Sequence, residues 1–174
     1  MIFLFETWEV IRDFLEAGGD VLLVIGLATL ILWTLILEKY YYFIKIYPAE
    51  SESIIKTWMS RQDRSSWAAH RIREALISDA GVNLDRSVGF IKTMVAVCPL
   101  LGLMGTVTGM ISVFEVMSYT GTSNARLMAS GISMATIPTM AGMVASLSGL
   151  YFGSRLESIA KKAKDELADK LRYN

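Results

Sequence analysis

Three long stretches without a charged residue limit what this chain can fold into. They are residues 21–37, 93–114 and 127–154. A helix that crosses the hydrocarbon core of a membrane needs about 20 mostly apolar residues. The first stretch is the shortest and continues into the aromatic residues 40–43, which are typical of a membrane–water interface. The pattern predicts an all-α integral membrane protein with three transmembrane helices.

Charge and cysteine content exclude several classes of function. The chain has 17 Lys and Arg against 17 Asp and Glu, so no net charge favours binding to nucleic acid. Its single cysteine, Cys98, rules out an internal disulfide and a cysteine-rich metal site. The spans also lack the paired nucleophiles, acids or metal ligands that an enzyme needs. We therefore expect no enzymatic activity, no metal and no cofactor.

The positions of the basic residues predict the topology. Nine Lys and Arg lie in residues 38–92 and six in residues 155–174, whereas Arg12 and Arg126 are the only others. Because basic residues are retained in the cytoplasm, we expect the N-terminus outside and the C-terminus inside, with the helices extended into the cytoplasm. In chain order we expect an amphipathic interfacial helix (1–19), transmembrane helix 1 (20–46), a cytoplasmic helical insert (47–88), transmembrane helix 2 (89–117), a short periplasmic loop (118–126), transmembrane helix 3 (127–154) and a cytoplasmic helical tail (155–174).

The flanking segments carry helix signals of their own. Acidic residues interrupt the first 19 residues, which excludes a signal peptide and favours an interfacial helix that ends at Gly18 and Gly19. In the insert, Ser65 or Ser66 is expected to cap a helix that Gly81 ends, and Asn83 to cap the next helix. The expected apolar face of the insert is Ile54, Ile55, Trp58 and Met59. The tail has an apolar stripe that needs a neighbour, either the insert or another subunit, unless the tail is a solvated helix near anionic lipid.

Small residues recur at helical spacing in the second and third stretches. Because helices in lipid associate by close approach of their backbones, these residues predict packing faces. On the second stretch they are Gly102, Gly105 and Gly109, and on the third they are Gly131, Ala135, Gly142, Ser146, Gly149 and Gly153.

Thr106 and Thr139 lie on the same faces and are candidates for an ion path. Each hydroxyl can bond its own helix or face a polar group, and the sequence leaves both alternatives open. Pro138, next to Thr139, and Pro99 each remove a backbone donor within a span. No Asp, Glu, Lys, Arg or His occurs in 93–114 or 127–154, and a proton relay through a membrane normally needs an ionisable group. If the protein conducts protons, another polypeptide must supply that group.

The motifs PLLGLMGTVTGM and LMASGISMATIPTMAGMVASLSGLYF resemble those of the MotA/TolQ/ExbB proton-channel family, most closely its ExbB branch. The resemblance implies a subunit of a proton-driven motor in the bacterial inner membrane, with five copies around an ExbD-like single-span partner. That partner carries an intramembrane Asp, and a TonB-like protein is coupled to the complex to energise transport across the outer membrane. The resemblance places the pore threonines at Thr106 and Thr139.

Two residues depart from the family pattern. Met134 stands in GISMA where many relatives have Glu, and Pro138 replaces a small or apolar residue. The role of that Glu cannot be transferred to this chain. A scaffold that conducts no ions is therefore the alternative function. A flagellar stator subunit is a third possibility, but the resemblance gives such proteins four spans and a larger cytoplasmic domain.

Overall fold

The structure is a computed structural model that describes residues 2–63, 66–120 and 125–171. These residues form five α-helices and no strand. The elements are α1 (Ile2–Tyr41), a π-helical turn (Tyr42–Ile46), α2 (Tyr47–Met59), α3 (Trp67–Asp85), α4 (Val88–Thr120) and α5 (Ala125–Lys170). Three helical stretches are long and apolar enough to cross a membrane, which confirms the predicted fold class.

The chain divides into two compact units. One comprises Met1–Leu32 with Thr93–Ser148, and the other comprises Trp33–Lys92 with Gly149–Asn174. The first unit contains most of the small-residue faces. The second contains the insert and the tail. The middle of the predicted loop, residues 121–124, and the candidate cap Ser65 lie outside the described residues.

In the first unit, α1 is broken at Gly19. Its backbone has φ 66° and ψ −168°, a conformation that is open essentially to glycine alone. The break lies at the second of the two glycines that were expected to end the first helical segment. Beyond it, Leu22, Ile25 and Leu32 are buried. On the other side of the break, Trp8, Ile11, Phe14 and Leu15 are exposed on the chain by itself, and the interfacial position of this segment stays a prediction.

Gly19→Ala tests the break directly. We expect the substitution to cost about 1–3 kcal/mol because an L side chain is strained at this φ and ψ. Gly26→Ala in the same helix is the control, since a Cβ there meets no atom within 4 Å. The measurement is the loss of helical circular dichroism as SDS is titrated into mixed micelles. A Gly19→Ala variant as stable as Gly26→Ala would show that the break is not required.

In the second unit, the tail packs against the insert. Trp58, Ala69, Ala80, Leu167 and Leu171 form one buried cluster, to which Ile54, Ile55, Leu76 and Ile77 add partly buried side chains. The insert therefore covers the apolar stripe of the tail, one of the alternatives that the sequence left open. Met59 was expected in this apolar face but is 58% exposed, so that prediction was wrong. Met59 is the last residue of α2 and directly follows the buried Trp58. Successive residues of a helix point about 100° apart, so Met59 does not share the side that Trp58 packs.

Hydrogen bonds also join the tail to the insert. Arg73 donates to the carbonyl oxygens of Leu171 (2.6 Å) and Ala168 (2.8 Å) at the end of α5. Basic side chains commonly bond the last carbonyls of a helix in this way. The Tyr47 hydroxyl donates to the Ala163 carbonyl over 2.7 Å. Burial raises the pKa of Tyr47 above its usual value, and the nearby carboxylates of Glu166 and Glu50 raise it further. The phenol therefore remains a donor at neutral pH.

The end of α3 differs from the sequence prediction. Ser66 is its N-cap, as expected, and accepts from the Ala69 amide over 3.2 Å. Gly81 and Asn83, however, lie inside α3, which continues to Asp85. A Cβ at Gly81 would lie 3.1 Å from Lys164 Cε, so Gly81 packs closely against that side chain and does not end the helix.

Asn83 links three elements of the insert instead of capping a helix. Its carbonyl accepts from the buried Lys39 ammonium over 3.0 Å, and its side-chain amide lies 3.4 Å from the Glu50 carboxylate. Glu50 also accepts from the Tyr42 hydroxyl over 2.7 Å. The Lys39 ammonium lies 4.7 Å from the centre of the Tyr42 ring, a cation–π contact. These contacts hold the end of α1 and the π-helical turn to α2 and α3.

Candidate functional site

The candidate site is the contact between α4 and α5 in the first unit, which we call the seam. It consists of Gly102, Gly105 and Gly109 on α4 and Ala135, Pro138, Thr139 and Gly142 on α5. The spacing of these residues places each set along one face of its helix. The sequence predicted both faces, and the structure brings them together.

The two backbones of the seam are in direct contact. A Cβ at Gly102 would lie 3.0 Å from the Pro138 carbonyl oxygen, and one at Gly109 would lie 2.7 Å from Ala135 Cα. A Cβ at Gly105 would lie 2.5 Å from Pro138 Cβ. From α5, a Cβ at Gly142 would lie 2.6 Å from the Cys98 carbonyl oxygen. Three successive turns of α4 therefore allow no side chain on this face.

The outer members of the predicted stripe have different neighbours. A Cβ at Gly131 would collide with the Val113 side chain. Within the second unit, a Cβ at Gly153 would lie 3.3 Å from Ile91 Cγ2, and Gly149 is buried. At Gly153 the neighbour is therefore a side chain of α4 and not its backbone.

Thr139 and Thr106 use their hydroxyls differently. Thr139 Oγ1 donates to the Gly102 carbonyl of the facing helix over 3.0 Å, with the Ala135 carbonyl of its own helix at 3.4 Å. Thr106 Oγ1 donates to the Leu103 carbonyl of its own helix over 2.7 Å. The hydroxyl hydrogens are thus directed at the backbone. The oxygen lone pairs remain available to a donor such as a protonated carboxyl group.

Pro99 explains a polar contact that the sequence reasoning did not identify. Because Pro99 has no N–H, the carbonyl of Val95 lacks its usual donor four residues later. Ser146 on α5 supplies one, since its Oγ donates to the Val95 carbonyl over 2.9 Å. The sequence contained two indications of this contact. A proline lies four residues after Val95, and a serine lies on the small-residue stripe of the third span.

Met134, another candidate ion-path residue, lies beside α1. A Cβ at Gly19 would lie 3.5 Å from Met134 Cε, so this side chain packs at the break in α1. Pro138 has no N–H for the Met134 carbonyl, just as Pro99 has none for Val95. Among the described residues, no group of three or more His, Cys, Asp or Glu could hold a metal ion.

Comparisons with known proteins identify the family of the chain. A model of the MotA/TolQ/ExbB proton channel family matches residues 48–169. An ExbB-like biopolymer transport protein of Synechocystis sp. is 35% identical over 98 residues, which are 55% of this chain and 39% of that protein. The biopolymer transport protein ExbB of Pseudomonas putida is 34% identical over 74 residues, 42% of this chain and 22% of that protein.

The Tol-Pal system protein TolQ of Haemophilus influenzae is also similar, with 32% identity over 74 residues, 42% of this chain and 32% of that protein. The aligned region thus spans less than half the length of each of these relatives. The family model nevertheless covers well over half of the present sequence. The chain therefore belongs to the MotA/TolQ/ExbB proton channel family.

Proposed function

We propose that this chain is the channel-forming subunit of a proton-driven motor in a bacterial inner membrane. Several copies, five by analogy with the family, surround a single-span ExbD-like partner that carries an intramembrane Asp. Through a TonB-like protein, the complex energises transport across the outer membrane. The observation that carries the proposal is the seam, where a threonine hydroxyl and close-packed backbone lie within spans that have no ionisable residue.

The seam supplies what a carboxyl group needs in the membrane. Inserting a charge at the bilayer centre costs about 2.5–3.5 kcal/mol on insertion scales. Thr106 and Thr139 have oxygen lone pairs that accept from a protonated Asp. When the Asp is ionised, either hydroxyl can rotate from a backbone carbonyl towards it. Their bonds to backbone carbonyls, of 2.7 Å and 3.0 Å, keep the hydroxyls satisfied when the Asp is elsewhere.

We place the N-terminus outside and the insert and tail in the cytoplasm. The support is the excess of basic residues in 38–92 and 155–174. The contacts of Arg73 and Tyr47 with α5 hold the tail to the insert as one body.

Thr106→Val combined with Thr139→Val tests the role of the hydroxyls. Valine keeps the branched shape and removes the hydroxyl, so we expect normal assembly and a proton flux lowered about tenfold or more, equivalent to at least ~1.4 kcal/mol. Flux is measured with a pH-sensitive dye inside liposomes that contain the chain and its partner. Thr136→Val is the matched control, because the Thr136 hydroxyl donates to Ile132 of its own helix over 2.7 Å, away from the seam.

The same preparation separates conduction from scaffolding. Replacing the partner's intramembrane Asp by Asn should abolish the flux. A complex that assembles but passes no protons with that Asp intact would favour a scaffold that conducts no ions. Unchanged flux in the double valine variant would remove the threonines from the mechanism.

A second candidate is a TolQ-like subunit in a Tol-Pal type system. The similarity to the Haemophilus influenzae TolQ protein favours it, because its identity is close to that of the ExbB relatives. Both candidates share the same channel chemistry and differ in the partner that receives the energy. Identification of the proteins that copurify with the intact membrane complex distinguishes them.

A further inference from the structure

The first unit contains a second polar feature, a cavity of about 290 Å³ beside the break in α1. Residues from all three of its helices line it, including Asp20, Thr108, Gly109, Ser112 and Met134. Since a water molecule occupies roughly 30 Å³ in the liquid, the cavity has room for a hydrated ion.

In the structure, the polar side chains of this cavity are arranged as acceptors towards a ligand. Thr108 Oγ1 donates to the carbonyls of Gly105 (3.1 Å) and Met104 (3.2 Å), and Ser112 Oγ donates to the Thr108 carbonyl (3.2 Å). With their hydrogens directed into α4, both hydroxyls present oxygen lone pairs to a ligand. Asp20 adds a carboxylate, and no basic side chain lines the cavity among the described residues. The lining therefore suits a cation and repels an anion.

The composition of the lining also limits the kind of cation. Calcium sites use several carboxylates, whereas one carboxylate lines this cavity. Zinc and copper prefer His and Cys ligands, which are absent from the lining. A single negative charge with hydroxyl oxygens matches a small monovalent cation, either a hydrated proton or Na⁺.

The cavity borders the seam. Gly109 lines the cavity and also packs against Ala135, and the next two turns of α4 bring Gly105 to Pro138 and Gly102 to Thr139. We propose that this cavity is an entry site, at which Asp20 collects a monovalent cation before it reaches the partner's carboxyl group. The inference rests on the proposed function and on its orientation, which places Asp20 near the outer surface.

Asp20→Asn tests the entry site in liposomes that contain the full chain and its partner. We expect the external proton concentration for half-maximal flux to rise about tenfold. The maximal flux should be retained, because the substitution removes the charge that collects the cation and leaves the conduction path unchanged. Asp13→Asn is the control, since Asp13 is a largely exposed acid on the same helix and should leave both quantities unchanged.

A relocated carboxylate separates cation collection from a structural role. Asp20 follows the break and lies in the first turn of a helix, where an acid is favourable without any ligand. Met134 lines the same cavity from α5 but does not lie in the first turn of a helix. Met134→Glu in the Asp20→Asn background should therefore restore the half-maximal concentration. Failure to restore it, or a loss of maximal flux alone, would overturn the proposal.

Binding of ²²Na⁺ to the chain in lipid nanodiscs distinguishes the two cations. Saturable binding that disappears in Asp20→Asn supports a sodium site, whereas a shift in proton flux without sodium binding supports a proton site. If the unsubstituted complex passes no protons, the proposed function fails. The sodium-binding measurement alone then tests whether the cavity binds a cation. If Asp20→Asn changes neither sodium binding nor proton flux, the entry site is refuted.

Discussion

Gly142→Ala should destabilise the protein by about 1–3 kcal/mol, even though alanine is the better helix former. The added methyl group would lie 2.6 Å from the Cys98 carbonyl oxygen and 3.2 Å from Gly102 Cα. Both neighbours are backbone atoms, so no side chain can rotate away. The helices must separate, which weakens the Thr139–Gly102 hydrogen bond as well.

Gly26→Ala is the matched control for this substitution. It also replaces a glycine within a membrane helix, but a Cβ there meets no atom within 4 Å. We expect equal or slightly greater stability for Gly26→Ala, since alanine gains about 1 kcal/mol over glycine in a helix interior. SDS titration followed by circular dichroism measures the difference. Equal stability of the two variants would show that the backbones of α4 and α5 are not in close contact at Gly142.

Trp58→Ala should have the largest effect in the second unit, about 3–5 kcal/mol. Trp58 is 1% exposed and packs in the cluster that contains Leu167 and Leu171. Removing it leaves a cavity between the insert and the tail. We expect the segment between α2 and α3, and the end of α5, to become sensitive to a protease added to detergent-solubilised protein.

Trp67→Ala provides the comparison for Trp58→Ala. Trp67 is 76% exposed and stacks on Arg71, so truncation removes a surface contact and opens no cavity. Its rate of proteolysis should match that of the unsubstituted protein. If Trp58→Ala is equally resistant, the cluster does not hold the tail to the insert.

The helical faces were predictable because periodicity shows which residues share one side of a helix. It identified the glycines of α4, the stripe of α5 and the apolar stripe of the tail before any contact was known. Periodicity does not give the rotation of one helix against another. For that reason the sequence left open how the Thr139 hydroxyl is used, and Thr139 proved to bond the facing helix while Thr106 bonds its own.

Local signals were less reliable where tertiary packing competed with them. Gly81 was predicted to end a helix, yet α3 continues to Asp85, and a Cβ at Gly81 would lie 3.1 Å from the end of the Lys164 side chain. Asn83 resembles a cap but its side chain contacts Glu50. Glycine and asparagine serve close packing and hydrogen bonding as readily as they end helices, and only the neighbouring elements distinguish these uses.

The sequence by itself determined the three spans, the absence of ionisable groups in the second and third, and the small-residue faces, because these depend on composition and spacing along one chain. The tertiary structure alone decided which faces meet, that Ser146 satisfies the carbonyl left by Pro99, and that Asp20 shares a cavity with Thr108 and Ser112. Those relations join residues far apart in sequence. They depend on the register between helices, which no local pattern encodes.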